Sequence, residues 1–227
     1  MITEGYVKQV FNDEKDVKFF FFGCWNKTAC DDISDLTQVV NEIEKDDSFH
    51  FGIIAGDNVY PDKEEIMVDY KIVKKKTFPK DRLKNGIRCL ARIDKPVYAV
   101  LGNHDIENCE VMDEMASIDL ETKDKRRNWN TENYVDVREN NRFWNVGTFY
   151  GLHFIRNQIL FLFIDTNLFV KEKNCYHERE RDIEEECRKM LTWVDKEIDI
   201  AIDHGVKHIV LTGHEPLFAY KLQKQKR

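Results

Sequence analysis

Short apolar runs that stop at turn-forming residues recur along the chain, at Val17–Phe22, Phe49–Ala55, Pro96–Leu101, Phe149–Ile155, Ile159–Ile164 and His208–Leu211. They are rich in β-branched and aromatic residues and too short for stable helices, so each predicts a strand. Between the first two, Ile33, Leu36, Val39, Val40 and Ile43 share one helical face, with Asp31 or Asp32 placed to cap it. Leu191, Val194, Ile198 and Ile202 repeat that stripe before Gly205, a natural C-cap. Strand, helix, strand in this order predicts βαβ units with parallel pairing. The three-residue link Arg156-Asn157-Gln158 predicts an antiparallel hairpin, so the sheet content is mixed.

The segments Ile106–Arg142 and Lys171–Arg188 are charged and weakly periodic, and read as surface excursions; Glu184-Glu185-Glu186 reads as a solvated helix face. Lys74-Lys75-Lys76 reads the same way, and the basic end of the chain reads as a frayed terminus. Over 227 residues, 42% hydrophobic and 34% charged, the composition is that of one soluble globular domain spanning 1–227. A formal charge of −7 argues against general nucleic-acid binding, which needs a basic surface. No stretch reaches membrane-spanning length and the N-terminus lacks a leader-like core, so no membrane partner is expected. The six cysteines lack zinc-finger spacing and read as mostly free thiols of an intracellular, cytoplasmic protein. Abundant Lys, Asn, Ile and Phe suggest an AT-rich genome, such as a protist's or a large DNA virus's.

Four strand exits share one grammar: Phe22-Gly23-Cys24-Trp25-Asn26, Ala55-Gly56-Asp57-Asn58-Val59-Tyr60, Leu101-Gly102-Asn103-His104-Asp105 and Thr212-Gly213-His214. Loops at the carboxyl ends of parallel strands gather on one edge and build sites there. Carboxylate, amide oxygen and imidazole together suit hard or borderline metal ions, and a carboxylate has two oxygens with which to bridge two cations. Taken singly, Gly-Asp-Asn or Gly-Asn-His-Asp is ordinary turn chemistry and His214 an ordinary core histidine. The repetition of the pattern at four exits is what points to a metal site.

Gly56-Asp57-Asn58-Val59-Tyr60, Gly102-Asn103-His104-Asp105 and Gly213-His214-Glu215-Pro216 resemble successive motifs of the calcineurin-like metallophosphoesterases. Tyr60, three residues after Asp57, resembles the purple acid phosphatase branch in particular. Phe149–Phe154, Phe163–Thr166 and Thr192–Val194 add supporting matches, so the likeness spans roughly 17–219. The resemblance implies an α/β fold, an α/β/β/α sandwich with two mixed sheets and a metal centre at one edge. It implies Asp57 as bridging carboxylate, Tyr60 on the first metal, and Asn103 and His214 on the second. His104 would face the phosphate and protonate the leaving group, with Asp105 orienting it. Metal ions (Fe, Zn or Mn), a phosphomonoester rather than a phosphodiester, and a small phosphorylated substrate or a phosphoprotein follow from the same likeness.

The sequence departs from the family pattern at two places. Cys24 stands where the family keeps an aspartate on the first metal, with Asn26 where other branches place a histidine. Cys24 reads equally as a substitute thiolate ligand and as a small buried hydrophobe. The family's Gly-His-x-His motif lies downstream of Gly-His-x-Pro, whereas this sequence runs 13 residues past His214 with no later histidine. The expectation is a domain lacking its C-terminal strands, with an open sheet edge available for oligomerisation and the second metal position better furnished than the first. His50, His153, His177, His204 and His208 lie outside the strand-exit motifs and are weak substitutes. Two readings stand: a metal-dependent phosphatase, and a degenerate, non-catalytic module of the same fold.

Overall fold

A computed structural model describes residues 6–10, 13, 15–27, 34–79, 82–90, 92–93, 95–113, 149–170, 174–178 and 182–216. The strands and helices follow in chain order: β1 (Tyr6–Val10), β2 (Phe19–Phe22), α1 (Asp35–Glu44), β3 (Phe51–Ala55), β4 (Asp62–Val68), β5 (Lys71–Thr77), α2 (Arg82–Leu90), β6 (Val97–Val100), β7 (Tyr150–Phe154), β8 (Ile159–Phe163), α3 (Cys175–Glu178), α4 (Ile183–Asp203) and β9 (His208–Thr212); residues 109–113 are helical as well. Single 3₁₀ turns stand at His104–Ile106 and Thr166–Phe169. Most of the expected excursion at 106–142 lies outside the described residues.

β2, β3 and β6 form a three-stranded parallel sheet in the order β2-β3-β6. The second sheet, β1-β7-β8-β9, is mixed: β7 and β8 pair antiparallel, β1 and β9 pair parallel to their neighbours. The expectation of two mixed sheets is corrected for the first, which is wholly parallel among the described residues because each of its links passes through a helix. Strand alternation then sets the layers. Phe51, Ile53, Tyr98 and Val100 face Tyr150, Leu152, Phe154, Phe161 and Phe163 to make the core between the sheets. Phe51 lies 5.2 Å from the rings of both Phe154 and Phe161. Tyr150 stacks on Phe163 at 4.5 Å and donates its hydroxyl to Ala99 O of the opposite sheet at 2.8 Å, so its polar tip is satisfied while its ring is buried. The outer faces carry a second core, in which Leu36, Val40, Leu83 and Leu90 cover Ile54 and Ala99, and Met190, Trp193 and Val194 cover Leu160 and Leu162. The order of layers is helix, sheet, sheet, helix.

Several expectations shift in detail. Ser34, rather than Asp31 or Asp32, caps α1, its Oγ accepting from Thr37 N at 3.2 Å. α4 begins at Ile183, well before the apolar stripe, because Asp182 accepts from Glu185 N at 3.0 Å and the three glutamates sit in the first turn, where the helix dipole favours them. Glu186 is buried, so that run is not wholly solvated. Lys74-Lys75-Lys76 lies on strand β5 and not on a helix face. The four phenylalanines of β2 make an edge strand, with Phe20 buried and Phe21 61% exposed.

The free-thiol expectation is overturned. Cys109 and Cys175 form a disulfide, and Cys89 is disulfide-bonded as well; Cys24 and Cys187 are free. Disulfides persist in oxidising surroundings, so the intracellular placement loses the support it drew from the cysteines. Among the described residues no helix is long and apolar enough to cross a membrane.

Candidate metal centre

The parallel direction of β2, β3 and β6 brings the exits of all three to one edge, and β9, joined to β8, delivers His214 to the same place. The exits are tied to one another by backbone. Cys24 N donates to Gly56 O at 3.1 Å, and His104 N donates to Asp57 Oδ1 at 3.1 Å. Cys24 (φ 54°), Asn26 (φ 56°) and Asp57 (φ 55°) all occupy the left-handed region, which non-glycine residues adopt at a cost that surrounding contacts must offset. Gly102 is required for a steric reason: a Cβ there would stand 2.1 Å from Asp57 N and 2.4 Å from Asp57 Oδ1.

Asp57 is buried and its two oxygens look in different directions. Oδ2 accepts from the Tyr60 hydroxyl at 2.7 Å and faces Cys24 Sγ at 3.7 Å. Oδ1 lies 3.3 Å from His214 Nε2, which is also 3.0 Å from Asn103 Oδ1. His214 Nδ1 stands 2.6 Å from Ala55 O, an oxygen that can only accept, so Nδ1 carries the proton. A neutral His214 would then present the lone pair of Nε2 to two further acceptors, and three acceptors would meet with no proton between them. A cation satisfies that arrangement, as does a protonated imidazole. The donor set of carboxylate, amide oxygen and imidazole suits a borderline divalent ion, so the residues fit a metal. Among the described residues no group of three or more His, Cys, Asp or Glu side chains is placed to hold a metal ion by itself; the convergent set draws on Asn103 and Tyr60 as well.

Asp57, Asn103, His214, Tyr60 and Cys24 thus come together, the first three on the Oδ1 side and the last two at Oδ2. Cys24 is exposed on that face rather than packed as a buried hydrophobe. Burial foremost, and then its contacts with Cys24 and Asp57, raise the Tyr60 hydroxyl above its ordinary value and keep it a phenol where no cation is bound. Asn26 does not reach the cluster. Its Nδ2 donates to Asn58 O at 3.0 Å and Arg82 O at 3.3 Å, fastening α2 to the second exit.

His104 sits beside Tyr60, ring centroids 4.7 Å apart, at the rim of the site. Asp105 makes no contact with its ring. Fully buried, Asp105 accepts from Asn58 N (2.8 Å), Asn58 Nδ2 (2.7 Å), Val59 N (3.1 Å) and Gly102 N (2.7 Å), bolting the second and third exits together. Burial pushes its carboxyl up to about 7, against the pull of those donors. The carboxylate that does approach His104 is Glu107, whose Oε1 is 2.8 Å from Nδ1, off the line of a well-formed hydrogen bond, while its Oε2 holds Lys76 at 2.7 Å.

Three residues that pattern reading gave no role prove central. Asn58, wholly buried, also accepts from Trp25 Nε1 at 2.9 Å and donates to Val100 O at 3.0 Å. Thr166 Oγ1 accepts from His214 N at 3.0 Å and Glu215 N at 2.7 Å, setting the imidazole loop. Glu107 is the third. Asn58 and Thr166 were visible as motif members, but nothing in their spacing distinguishes a scaffold from a ligand.

A sequence model of the calcineurin-like phosphoesterase family matches residues 17–226. Comparison with curated proteins and with solved structures returns no match. The matched span takes in all four strand exits, every strand of the two stacked sheets except β1, and the cluster around Asp57, and the chain belongs to the calcineurin-like phosphoesterase family.

Proposed function

We propose that this chain is a metal-dependent phosphatase, hydrolysing a phosphomonoester in preference to a phosphodiester, with a likeness to purple acid phosphatases. The observation that carries the reading is the meeting of Asp57 Oδ1, Asn103 Oδ1 and His214 Nε2 around one point, with the His214 proton committed to Ala55 O. Three protein ligands leave a coordination position open, as catalytic sites need. An Fe, Zn or Mn ion held by them would polarise a phosphoryl oxygen and make water ionisable near neutral pH. Asp57 Oδ2, Tyr60 and Cys24 offer a second, softer position.

The chain's own residues supply the rest. His104, with Glu107 beside Nδ1, keeps Nε2 for protonating the leaving oxygen. Lys27, its ammonium 5.0 Å from the centre of the Tyr60 ring, adds positive charge where a phosphate dianion approaches. Tyr60 three residues after Asp57 is the feature that favours the purple acid phosphatase likeness. A small phosphorylated molecule or a phosphoprotein fits the open edge.

A second reading, a non-catalytic module of the same fold, is favoured by Cys24 in place of the aspartate and by the absence, among the described residues, of three His, Cys, Asp or Glu side chains grouped to hold one ion. Elemental analysis of the purified protein, paired with turnover of a chromogenic phosphomonoester before and after chelation, separates the two. Bound metal with chelator-sensitive turnover supports the phosphatase; bound metal or none, without turnover, supports the module.

A further inference from the structure

Asp165 and Tyr176 are buried, 4% and 0% exposed, and have no part in the chemistry proposed above. The Tyr176 hydroxyl donates to Asp165 Oδ2, while Asp165 Oδ1 accepts from Asn167 N at 3.0 Å and Asn167 Nδ2 at 2.8 Å. These contacts fix the 3₁₀ turn Thr166–Phe169 at its start. Two side chains of that turn reach separate strand exits. Thr166 Oγ1 holds the backbone N–H groups of His214 and Glu215, and Asn167 Nδ2 donates to Leu101 O at 3.1 Å, directly ahead of Gly102 and Asn103. The turn thus bridges the exits that carry His214 and Asn103, whose Nε2 and Oδ1 stand 3.0 Å apart.

The bridge is closely fitted. A Cβ at Gly213 would stand 2.3 Å from Thr166 Cγ2, so the fourth exit lies hard against the turn. Asn167 is 1% exposed, and its Oδ1 accepts from nothing among the described residues. An unsatisfied buried acceptor is unfavourable, and the two bonds donated by the same amide are what its presence secures.

The far side of the bridge is covalent. Tyr176 follows Cys175, which is bonded to Cys109, and Cys109 stands two residues after Glu107, the neighbour of His104. A ring is closed in this way: along the chain from Leu101 to Cys109, across the disulfide to Tyr176, and through Asp165 and Asn167 back to Leu101 O. His214 hangs from it through Thr166. We propose that Tyr176 and Asp165 are positioning residues of the metal centre and that the Cys109–Cys175 disulfide locks them, so that severing it loosens Asn103 and His214 together. Groups that orient metal ligands from behind set affinity nearly as strongly as the ligands do. The proposal rests on the metal centre described above and not on turnover of a phosphate ester.

The test uses the full chain in two states. In metal-free protein, hydrogen exchange of the His214 and Glu215 amides, followed by NMR, reports on the bridge directly, because both donate to Thr166 Oγ1. Tyr176→Phe deletes one hydroxyl and keeps the ring; Cys109→Ser with Cys175→Ser opens the covalent side. Each should speed exchange of the two amides by about tenfold relative to the amide of Leu162, in the middle of β8, which follows opening of the whole domain. In Co(II) titrations read by visible absorption, the same variants should bind about tenfold more weakly and shift the absorption bands. Gly205→Ala, strained by its positive φ with no atom within 4 Å of the added Cβ, should do neither. Combining Tyr176→Phe with the cysteine pair should be less than additive, because both act on one ring. Unchanged exchange of the two amides relative to Leu162 overturns the bridge, and unchanged cobalt affinity and bands overturn its role at the metal centre. Full additivity overturns the shared lock. If the cysteine pair fails to fold, Tyr176→Phe alone decides. A parent that takes up no cobalt refutes the metal centre, while amide exchange still shows whether the ring holds His214.

Discussion

Gly102→Ala perturbs a point where the second and third strand exits pack closely, Gly102 against Asp57. The added Cβ would stand 2.1 Å from Asp57 N, 2.4 Å from Asp57 Oδ1 and 2.8 Å from Asp57 Cα. Two of these are backbone atoms and the third is the hydrogen-bonded end of a buried carboxylate, so relief requires the Asp57 loop to move. That shift strains the His104 N to Asp57 Oδ1 and Gly102 N to Asp105 Oδ2 hydrogen bonds. Overpacking of this kind costs about 1–3 kcal/mol. In a domain of this size each kcal/mol lowers the melting temperature by about 2–4 °C, so a drop of about 2–12 °C is expected in chelated protein. Asp57 faces both candidate metal positions, and metal affinity should fall by at least about tenfold, the range seen when ligand-supporting groups are disturbed. Thermal melts in excess chelator, followed by calorimetric metal titration, read the two effects separately. Gly205→Ala is the comparison: Gly205 has φ 74° with no atom within 4 Å of an added Cβ, so it should lose about 1 kcal/mol and leave metal binding unchanged. A Gly102→Ala protein that melts within a degree of the parent and binds metal equally well would refute the packing argument.

Cys24→Asp should raise metal stoichiometry or affinity by placing a carboxylate at the Oδ2 side of Asp57; unchanged values by elemental analysis would show that Cys24 does not stand at a ligand position. Glu107→Gln, which removes the charge beside His104, should lower kcat about tenfold with KM little changed, in steady-state assays of a chromogenic ester. The Asp105 carboxyl has a folded value of about 7 against an ordinary 3.8, so the folded state holds the proton more tightly. Its contribution to stability in metal-free protein is therefore full below about pH 4 and lost as pH rises through 7, and denaturant titrations of the parent minus Asp105→Asn should show that slope. Cys109→Ser opens a loop closed over a separation of 66 residues and should cost about 2–4 kcal/mol in denaturant melts, and reductant, which also opens the Cys89 disulfide, should cost the parent at least as much.

The strands that carry the site were legible because each combines a short apolar run with a glycine exit. β3, β6, β7, β8 and β9 appear within a residue or two of their predicted bounds. What was missed shares a cause. β4 and β5 carry lysines and glutamates along exposed faces, so the period-two signal that marks a half-buried strand is absent from them. The phenylalanine run of β2 shows no polar alternation, yet as an edge strand with one covered face it leaves Phe21 in solvent. The convergence of Asp57, Asn103 and His214 could be anticipated from residue types at strand exits, whereas the partner of His104 could not. Asp105 is adjacent to His104 in sequence, but the 3₁₀ turn at His104–Ile106 sends its carboxylate inward to Asn58 and brings Glu107 to the imidazole.

Local pattern alone determined the order of β2, α1, β3, β6, β7, β8, α4 and β9, the four exits and the kinds of ligand they carry, because these follow from periodicity and turn chemistry within a few residues. Tertiary structure alone decided which donors face one another. It exposed Cys24 beside Asp57, turned Asn26 and Asp105 into braces, and joined Cys109 to Cys175. Those outcomes depend on distances between segments 30 to 160 residues apart, which are set by how two sheets pack and which no local spacing encodes.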